Sequence, residues 1–331
     1  MAETVLVTGS TGLIGSALVR KFAADGWCVL AAARNVPKAE SLFAGAENVR
    51  TVRWDVTRPA EFPDGADAVI HAASETSSAA FVGRPVETIG TVIDGTRNVL
   101  EFARARRVRS MVFLSTMEVY GAPATDPVTE RDYGYLDPVA VRSSYPEAKR
   151  LAENLCVAYA AEYGVPVKVA RLTQTFGEGV RYDDGRVFAE FARAVIEGRD
   201  IVLKTEGTTA RCYCHLGDAV EAIRTILAKG VAGEAYTVAN EATFCTIREM
   251  AERVIAANPG CGSKLVFDFS DAAKRGFAPP FRMRLDCSKL RALGWTPKVG
   301  LEEAFARLIA SMRESRARER AIVDAKGGRL A

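Results

Sequence analysis

The feature that most constrains the fold is a glycine-rich turn near the amino terminus. Thr4–Thr8 is a short β-branched run, typical of a buried parallel strand. Gly9, Gly12 and Gly15 follow it, and from Leu13 the apolar residues recur at helical spacing. In this order the first glycine permits a tight turn, the second lets a pyrophosphate approach the backbone, and the third lets the helix pack closely on the strand. The N–H groups at the start of the helix face the phosphates. The stretch therefore predicts a dinucleotide-binding unit.

Composition excludes several other classes of protein. A formal net charge of +3 provides no large basic field, so we expect no nucleic-acid partner. No apolar run approaches the length of a membrane span, and residues 1–10 already belong to the first strand, so we expect neither a membrane anchor nor a signal peptide. The seven cysteines are odd in number and dispersed, which favours reduced thiols and a cytoplasmic location.

Strand-like and helix-like segments alternate along the first half of the chain. The segment Val86–Arg106 has the apolar spacing of a long amphipathic helix. The predicted strands after the first are 28–33, 49–54, 68–70, 111–114 and 165–172. This alternation is typical of a parallel sheet with helices on both faces. The sequence therefore predicts an α/β fold, a Rossmann-type doubly wound parallel sheet.

From about residue 175 the predicted segments become shorter and more irregular. We assign residues 1–174 to the dinucleotide-binding domain and residues 175–331 mainly to a smaller α/β substrate lobe, with some later segments returning to the large sheet. We expect helices at 187–196, 218–227, 247–257, 286–293 and 301–312, strands at 201–204, 211–214 and 235–239, and a charged, glycine-containing tail after residue 312.

The residues that follow the predicted strands bear on the choice of cofactor. An acidic residue after the second strand would bind the ribose hydroxyls of NAD, but this chain has Ala33 and Arg34 there. Arg34 could pair with the 2′-phosphate of NADP, or it could be an ordinary surface arginine. The pattern favours NADP over NAD. Asp55, after the third strand, could meet the adenine edge, and the small residues at 72–74 could let the chain pass beneath a dinucleotide.

A tyrosine and a lysine at helical spacing are the candidate acid/base pair. Tyr145 and Lys149 lie four residues apart at the start of a predicted helix, so both project from one face. An ammonium group beside a phenol lowers the phenol's pKa from about 10 toward neutrality, as acid/base work requires. An exposed pair of this kind is common, and the glycine turn gives this one its weight.

A metal site is the weaker interpretation of the cysteine-rich segment Cys212-x-Cys214-His215. Zinc needs a third and a fourth ligand, whereas the chain has only two histidines in all and no Cys-x-x-Cys motif. Small apolar core residues explain the segment better, and we expect no metal.

Together these motifs resemble a known family. Those that carry the resemblance are Gly9-x-x-Gly12-x-x-Gly15, Asp55, Ser115-Thr116, Tyr145-x-x-x-Lys149 and, near the end, Leu293-Gly294-Trp295-x-Pro297. They resemble the extended short-chain dehydrogenase/reductases and, more narrowly, the NAD(P)-dependent NDP-sugar epimerase/dehydratase family. The resemblance covers nearly the whole chain. It implies an enzyme with bound NAD(P) and a nucleotide-sugar substrate.

The resemblance also implies the site residues. In this family the tyrosine takes a proton from a sugar hydroxyl, usually at C4, while hydride passes to the nicotinamide, and the lysine holds the cofactor ribose. The expected catalytic residues are Tyr145, Lys149, Thr116 and Glu118. The expected cofactor contacts are Gly9, Thr11, Gly12, Leu13, Ile14, Gly15, Arg34, Asp55, Val56, Ala72, Ala73, Ser74 and Ser115, together with Tyr145 and Lys149. The expected substrate contacts are Thr116, Gln174, Arg186 and Arg211.

The segment Thr116-Met117-Glu118 separates the possible reactions. The 4,6-dehydratases resemble Thr-Asp-Glu here, and Met117 cannot replace the aspartate that protonates the departing hydroxyl. UDP-glucuronate decarboxylases are closer to Thr-Ser-Glu, and Arg142-x-x-Tyr145 also looks decarboxylase-like. A transient 4-keto sugar acidifies neighbouring C–H bonds and labilises a C5 carboxylate. We therefore expect an epimerase or decarboxylase outcome.

Two departures from the family pattern leave alternatives open. Gln174 and Val92 stand where the family usually has asparagines. With Arg34, the altered sugar site suggests an NADPH-dependent reductase of a carbonyl substrate that is not a nucleotide sugar. A reductase would consume its cofactor, whereas an epimerase or decarboxylase recycles it. A cofactor-binding regulatory protein without turnover is a third reading, which the complete Thr116, Tyr145 and Lys149 set disfavours.

Two of the predicted helices carry apolar residues on more than one face. In the helix from Tyr145 these residues are Leu151, Leu155, Ala158 and Tyr159. Such a helix needs a second partner besides its own sheet. Members of the family pair these helices into a four-helix bundle. We therefore expect a homodimer through the helices that begin at Val86 and Tyr145.

Overall fold

Thirteen strands and ten α-helices make up the computed structural model, which describes residues 2–62, 65–270 and 281–327. The strands are β1 (Thr4–Thr8), β2 (Cys28–Ala33), β3 (Val49–Arg53), β4 (Ala68–His71), β5 (Ser110–Thr116), β6 (Val167–Leu172), β7 (Gln174–Phe176), β8 (Ile201–Leu203), β9 (Ala210–His215), β10 (Ala235–Val238), β11 (Asn240–Thr246), β12 (Leu265–Phe267) and β13 (Arg282–Met283). The helices are α1 (Leu13–Ala24), α2 (Val36–Leu42), α3 (Ser78–Gly83), α4 (Pro85–Ala105), α5 (Ser144–Tyr163), α6 (Val187–Glu197), α7 (Leu216–Lys229), α8 (Ile247–Ala256), α9 (Ser288–Arg291) and α10 (Leu301–Gly327).

Seven of these strands form one parallel sheet in the order β10-β6-β5-β4-β1-β2-β3. Its central strands are apolar on both faces, and Val5, Leu6 and Val7 of β1 are fully buried. Strands of this kind need helices on both faces, and crossover helices supply them. The predicted Rossmann-type doubly wound sheet is confirmed. The carboxyl ends of its strands share one edge, where ligands bind in such sheets.

The chain divides into two compact units. The first contains Met1–Thr173, Gly217–Val238 and Asp286–Thr296. The second contains Gln174–Leu216, Ala239–Leu285 and Pro297–Ala331. The seven-stranded sheet thus takes its edge strand β10 from a late segment.

The second unit has its own small sheets. Strand β9 pairs with β11 in antiparallel fashion and with β7 and β13 in parallel fashion, while β8 and β12 form a separate parallel pair. Phe176 of β7 lies at the centre of an aromatic cluster there, stacked on Phe188 with ring centroids 4.7 Å apart. This cluster forms part of the core of the second unit.

The carboxyl-terminal helix differs from the prediction. It runs to Gly327 rather than ending near residue 312, so most of the expected tail is helical, and residues 328–331 lie outside the described residues. Its later part lacks apolar periodicity, but it is rich in Arg, Glu and Ala, which are good helix formers. Pairs one turn apart, such as Glu314 and Arg318, add support. No helix in the described part of the chain is long and apolar enough to cross a membrane.

Candidate active site

The glycine turn leaves an open cradle at the carboxyl end of β1. Gly9 has φ +67°, and a Cβ there would lie 2.7 Å from the Ala72 backbone. A Cβ on Gly15 would lie 2.2 Å from the Gly9 carbonyl oxygen, so the helix can approach the turn only with glycine here. A Cβ on Gly12 would meet only that same oxygen, at 3.3 Å, and would otherwise fill the cradle.

The start of α1 supplies the cradle with hydrogen-bond donors. Gly12 caps the helix without a side chain, so the N–H groups of Leu13, Ile14 and Gly15 have no partner within the helix. Free N–H groups and the positive end of the helix dipole suit a pyrophosphate. These residues therefore fit the phosphates of a dinucleotide, with Thr11 half-buried beside them.

The other predicted cofactor contacts follow the neighbouring strands. Arg34 comes directly after β2, and its exposed guanidinium forms no ion pair with the residues that the structure describes. Asp55, two residues beyond β3, accepts hydrogen bonds from Thr57 N at 3.1 Å and Thr57 Oγ1 at 2.9 Å. Next to it, Val56 is buried. After β4 come Ala72, Ala73 and Ser74, all half-buried.

Tyr145 and Lys149 project from the first turns of α5 beside the end of β5. Lys149 is 2% exposed, and its Nζ donates to the Leu114 carbonyl at 2.8 Å. Tyr145 is 7% exposed, and the side chains of Thr116 and Glu118 are near enough to its phenol to affect its pKa. The structure therefore brings together three of the four predicted catalytic residues around the phenol.

The predicted effect of Lys149 on the pKa of the Tyr145 phenol has to be corrected. Burial and the Glu118 charge raise the pKa of Tyr145, against smaller downward effects of the Thr116 side chain and Arg142. The expectation that Lys149 lowers this pKa toward neutrality is therefore wrong for the protein alone. Burial lowers the pKa of Lys149 itself to about 8, partly offset by the charge of Glu153. The Lys149 Nζ lies 5.8 Å from the centroid of the Tyr145 ring, and the effects of burial and Glu118 on the phenol dominate.

Glu118, the fourth predicted catalytic residue, is held by an arginine. It lies in a short 3₁₀ turn after β5, where its N–H donates to Thr116 Oγ1 at 3.2 Å. Arg142 Nη2 donates to both of its carboxylate oxygens, at 3.2 and 3.0 Å. The Arg142 guanidinium also lies over the Phe81 ring, 4.9 Å from its centroid, and Phe81 stacks face to face on Tyr145 at 4.2 Å.

The sequence analysis missed a buried ion pair between Glu153 and Arg171 that lies next to the site. Ser115 Oγ donates to Glu153 Oε1 at 2.5 Å, so this hydroxyl cannot donate the same proton to a cofactor. Arg171 holds the same carboxylate through Nη2 at 2.7 Å and is 2% exposed. The signal was present in the sequence, because Glu153 follows Lys149 by one helical turn on the same face.

His71 and Val92 are two further buried residues of the first unit. His71 accepts from or donates to Thr8 Oγ1 at 2.8 Å, and burial and the Lys149 charge lower its pKa to about 3. It is therefore a neutral, structural side chain. Val92 is buried, and Thr96 Oγ1, one turn further along α4, donates to its carbonyl at 2.6 Å.

The predicted substrate contacts other than Thr116 all lie in the second unit. Gln174 of β7 is the register partner of Tyr213 in β9, so the two side chains share a face, and Arg211 lies on that face two residues earlier. Arg186 stands apart from this row, because its guanidinium is bound to Asp184 through Nε at 3.0 Å and Nη2 at 2.6 Å.

Two buried polar atoms in this row lack a hydrogen-bond partner among the described residues. They are Arg211 Nε and Tyr213 Oη. Tyr213 is 1% exposed, and a buried hydroxyl without a partner costs about 1–3 kcal/mol unless a ligand or water satisfies it. Sequence reasoning missed Tyr213, although the alternation of Arg211 and Tyr213 on one strand was visible. Among the described residues there is no group of three or more His, Cys, Asp or Glu that could hold a metal ion.

Comparisons with known proteins identify the family and the fold of the chain. The model of the NAD dependent epimerase/dehydratase family matches residues 5–239. UDP-glucuronic acid decarboxylase 6 of Arabidopsis thaliana is 33% identical over 91% of this chain and 86% of its own length. DesIV, a dTDP-glucose 4,6-dehydratase from Streptomyces venezuelae solved with NAD and TYD bound, is 26% identical with a TM-score of 0.78, covering 95% of this chain and 98% of its own. RMD from Pseudomonas aeruginosa, complexed with NADPH, is 26% identical with a TM-score of 0.76, covering 95% and 100%.

Proposed function

The chain belongs to the NAD dependent epimerase/dehydratase family, and on that premise we propose that it decarboxylates a nucleotide-linked uronic acid through a transient oxidation at C4 of the sugar. The enzyme class and the nicotinamide cofactor, NAD or NADP, follow from the family. The reaction outcome, the substrate and the roles of individual residues are the proposal.

One observation carries the proposal: Tyr145, Thr116, Lys149 and Glu118 meet at the carboxyl end of β5 in the first unit. A positioned phenol beside a hydroxyl donor and a buried ammonium suits the removal of a proton from a sugar hydroxyl. The glycine cradle at the end of β1 belongs to the same sheet edge of the same unit. This is where a nicotinamide cofactor binds in such sheets.

The residues of the chain perform the proton chemistry. When bound, the nicotinamide supplies the acceptor and later the donor for the C4 hydride. Tyr145 takes the proton of the C4 hydroxyl as a phenolate, which requires that the bound cofactor lower the phenol's pKa from its raised value in the protein alone, and Thr116 hydrogen-bonds the same oxygen. Lys149 binds the cofactor ribose and adds positive charge near the phenol. The resulting 4-keto group acts as an electron sink, so the bond between C5 and its carboxylate breaks, CO₂ departs, and C5 takes up one proton. Tyr145 would return its proton to the C4 oxygen as the hydride comes back to C4, so the bound cofactor would be used without net consumption.

Within the second unit, Arg211 Nε and Tyr213 Oη are buried donors that a single phosphate oxygen could satisfy at once, and we assign them to phosphate binding. Gln174, on the same face, is the adjacent polar contact. Arg186 is a weaker assignment, since Asp184 already neutralises it.

The comparisons favour decarboxylation over the other outcomes. The Arabidopsis relative is by name a UDP-glucuronic acid decarboxylase, and Met117 offers no proton for a 4,6-dehydration. The reductase alternative finds no support among these relatives. We also infer a cytoplasmic enzyme, which the odd and dispersed cysteines support.

The proposal is tested with UDP-glucuronate, NAD or NADP, and Tyr145→Phe. The parent enzyme should release CO₂ and form a UDP-pentose without net change in absorbance of the reduced cofactor. Tyr145→Phe should lower kcat by roughly 10²–10⁴ because it removes the acid/base group, while cofactor affinity stays near the parent value. If the product is instead an intact UDP-hexuronate epimer, the reaction is an epimerisation and not a decarboxylation. Near-normal kcat in Tyr145→Phe would refute the mechanism.

A further inference from the structure

The ion pair between Arg142 and Glu118 lies beside the phenol of Tyr145 and is open to solvent. The Arg142 side chain is 45% exposed and that of Glu118 is 27% exposed. Both charges act on Tyr145, since Glu118 raises and Arg142 lowers its pKa. A guanidinium donor that is both accessible and this close to the reacting hydroxyl can meet a substrate group.

The geometry of Arg142 is fixed independently of Glu118. Its guanidinium lies over Phe81, and Phe81 is stacked on Tyr145 with an angle of 5° between the rings. Ser144 Oγ donates to the Phe81 carbonyl at 2.8 Å, which ties α3 to the start of α5. The cation therefore keeps its place over Phe81, the ring that stacks on Tyr145, if its carboxylate partner changes.

The neighbouring cations of the first unit are already committed. Lys149 is buried and donates to the Leu114 carbonyl. Arg150 donates to the Val119 and Gly134 carbonyls, each at 2.8 Å, and Arg171 is held by Glu153. Among these side chains Arg142 is the accessible one, and its present ligand is itself a carboxylate.

We propose that Arg142 binds the carboxylate of the substrate sugar in exchange for Glu118 and thereby selects acidic over neutral nucleotide sugars. This inference rests on the proposed function and adds the residue that sets its substrate class. The exchange costs little, because the guanidinium gives up a solvent-screened, exposed ion pair for a second carboxylate, and the bound sugar shields the new pair from solvent. Until the substrate binds, Glu118 keeps the Arg142 guanidinium charged and oriented.

The kinetic consequence is specific. An ion pair to the carboxylate is present in the bound substrate and is kept during the C4 oxidation that precedes the loss of CO₂, so up to that step it contributes equally to substrate and transition-state binding. Removing it should therefore raise KM for the uronic acid substrate with little loss of kcat, in contrast to Tyr145→Phe.

The test compares equilibrium binding of UDP, UDP-glucose and UDP-glucuronate to the protein saturated with reduced cofactor, which cannot oxidise the sugar during the measurement. The parent should prefer UDP-glucuronate to UDP-glucose, and Arg142→Gln should reduce that preference by roughly ten- to hundredfold, the range for a charge-assisted hydrogen bond. Binding of UDP and UDP-glucose should be unchanged. Arg142→Lys keeps the positive charge but lacks the two parallel donors of a guanidinium, so it should retain part of the preference for UDP-glucuronate. Arg181→Gln, at an exposed ion pair in the second unit, is the matched control.

A second variant covers the case in which Arg142→Gln does not fold. Glu118→Gln removes the competing carboxylate and should strengthen UDP-glucuronate binding selectively. An equal loss for all three ligands in Arg142→Gln, or an unchanged preference in both variants, overturns the assignment of Arg142. If the parent binds neither nucleotide sugar, the proposed function fails and this inference with it. A parent that binds both sugars equally leaves the nucleotide-sugar assignment standing and refutes only the selection by Arg142.

Discussion

At the scale of single residues, the most unusual feature is the burial of three charged side chains behind the phenol. Lys149, Glu153 and Arg171 are each less than one-tenth exposed. Buried charges are costly unless they are paired and hydrogen-bonded, and here the Glu153 carboxylate receives bonds from both Arg171 and Ser115. Glu153 also raises the pKa of Lys149 against the effect of burial. It is therefore a positioning residue that keeps Lys149 charged.

We predict that Glu153→Gln shifts the alkaline limb of the pH–rate profile to lower pH. The pKa of Lys149 is about 8 in the parent, and the loss of an adjacent negative charge lowers it further, by roughly one to three units. The ammonium form is then lost at a lower pH, so activity falls earlier as pH rises. A purely structural role would reduce activity equally across the pH range. Stability should also fall by about 3–5 kcal/mol, because Arg171 stays buried without its partner, so folding is monitored by circular dichroism.

The matched control for this variant is Glu101→Gln. Glu101 likewise accepts a hydroxyl bond, from Tyr159 at 2.5 Å, but it is half-exposed. Its alkaline limb should coincide with that of the parent. An unshifted limb in Glu153→Gln would show that Glu153 does not control the charge of Lys149.

The sequence predicted which residues meet at the site better than it predicted their electrostatics. Tyr145 and Lys149 follow from helical spacing, which is a local property, and Thr116 follows from the family resemblance. The direction of the pKa shift of Tyr145 depends on burial under Phe81 and on Glu118, which are contacts of the folded chain. The orphaned Tyr213 hydroxyl depends in the same way on packing in the second unit.

At the scale of elements, the glycine turn and the alternation of strands and helices predicted the main sheet. With the other motifs they also predicted the protein family and a nicotinamide cofactor, and these predictions are confirmed. Short strands escaped prediction because their pairing is decided by tertiary contacts. Strand β7 has only three residues and forms by pairing with β9. The edge strand β10 is closed by side chains, since the Thr237 N–H donates to Glu130 at 2.7 Å and Lys289 donates to the Ala235 carbonyl at 2.7 Å.

The end of β2 gives a prediction on cofactor choice. Arg34 is exposed, and we found it in no ion pair within the described chain. If it meets the 2′-phosphate, the parent should bind NADP more tightly than NAD, and Arg34→Ala should remove most of that difference, roughly ten- to hundredfold. Fluorescence titration with both cofactors measures the effect. Arg109→Ala, at an exposed ion pair at the amino end of β5, should change neither affinity. Equal affinities in the parent would identify Arg34 as an ordinary surface residue.

At the scale of the whole molecule, α4 and α5 present an outer apolar stripe. Val86 and Ile89 of α4 are 76% and 43% exposed, and Leu151 of α5 is 51% exposed. Leu155 is half-buried against the core, and Tyr159, which the sequence analysis also placed outside the inner face, belongs to that core. The stripe is therefore narrower than expected, but each of the two helices contributes exposed apolar residues. A second copy of the chain, bringing the same two helices, would cover it as a four-helix bundle.

We predict that Leu151→Lys converts a homodimer into monomers. The parent should sediment as a dimer at micromolar concentration, and the variant should dissociate because pairing would bury an uncompensated charge on each subunit. Glu147, one turn earlier, can pair with the new lysine in the monomer, so the helix itself should remain intact. Val157→Lys is the matched control: Val157 is 44% exposed on the same helix, about 120° around its axis from Leu151, and this variant should stay dimeric. Because Tyr145 and Lys149 are carried by α5, dissociation should also lower activity. A monomeric parent, or a dimer that Leu151→Lys leaves intact, would show that the stripe is not the subunit interface.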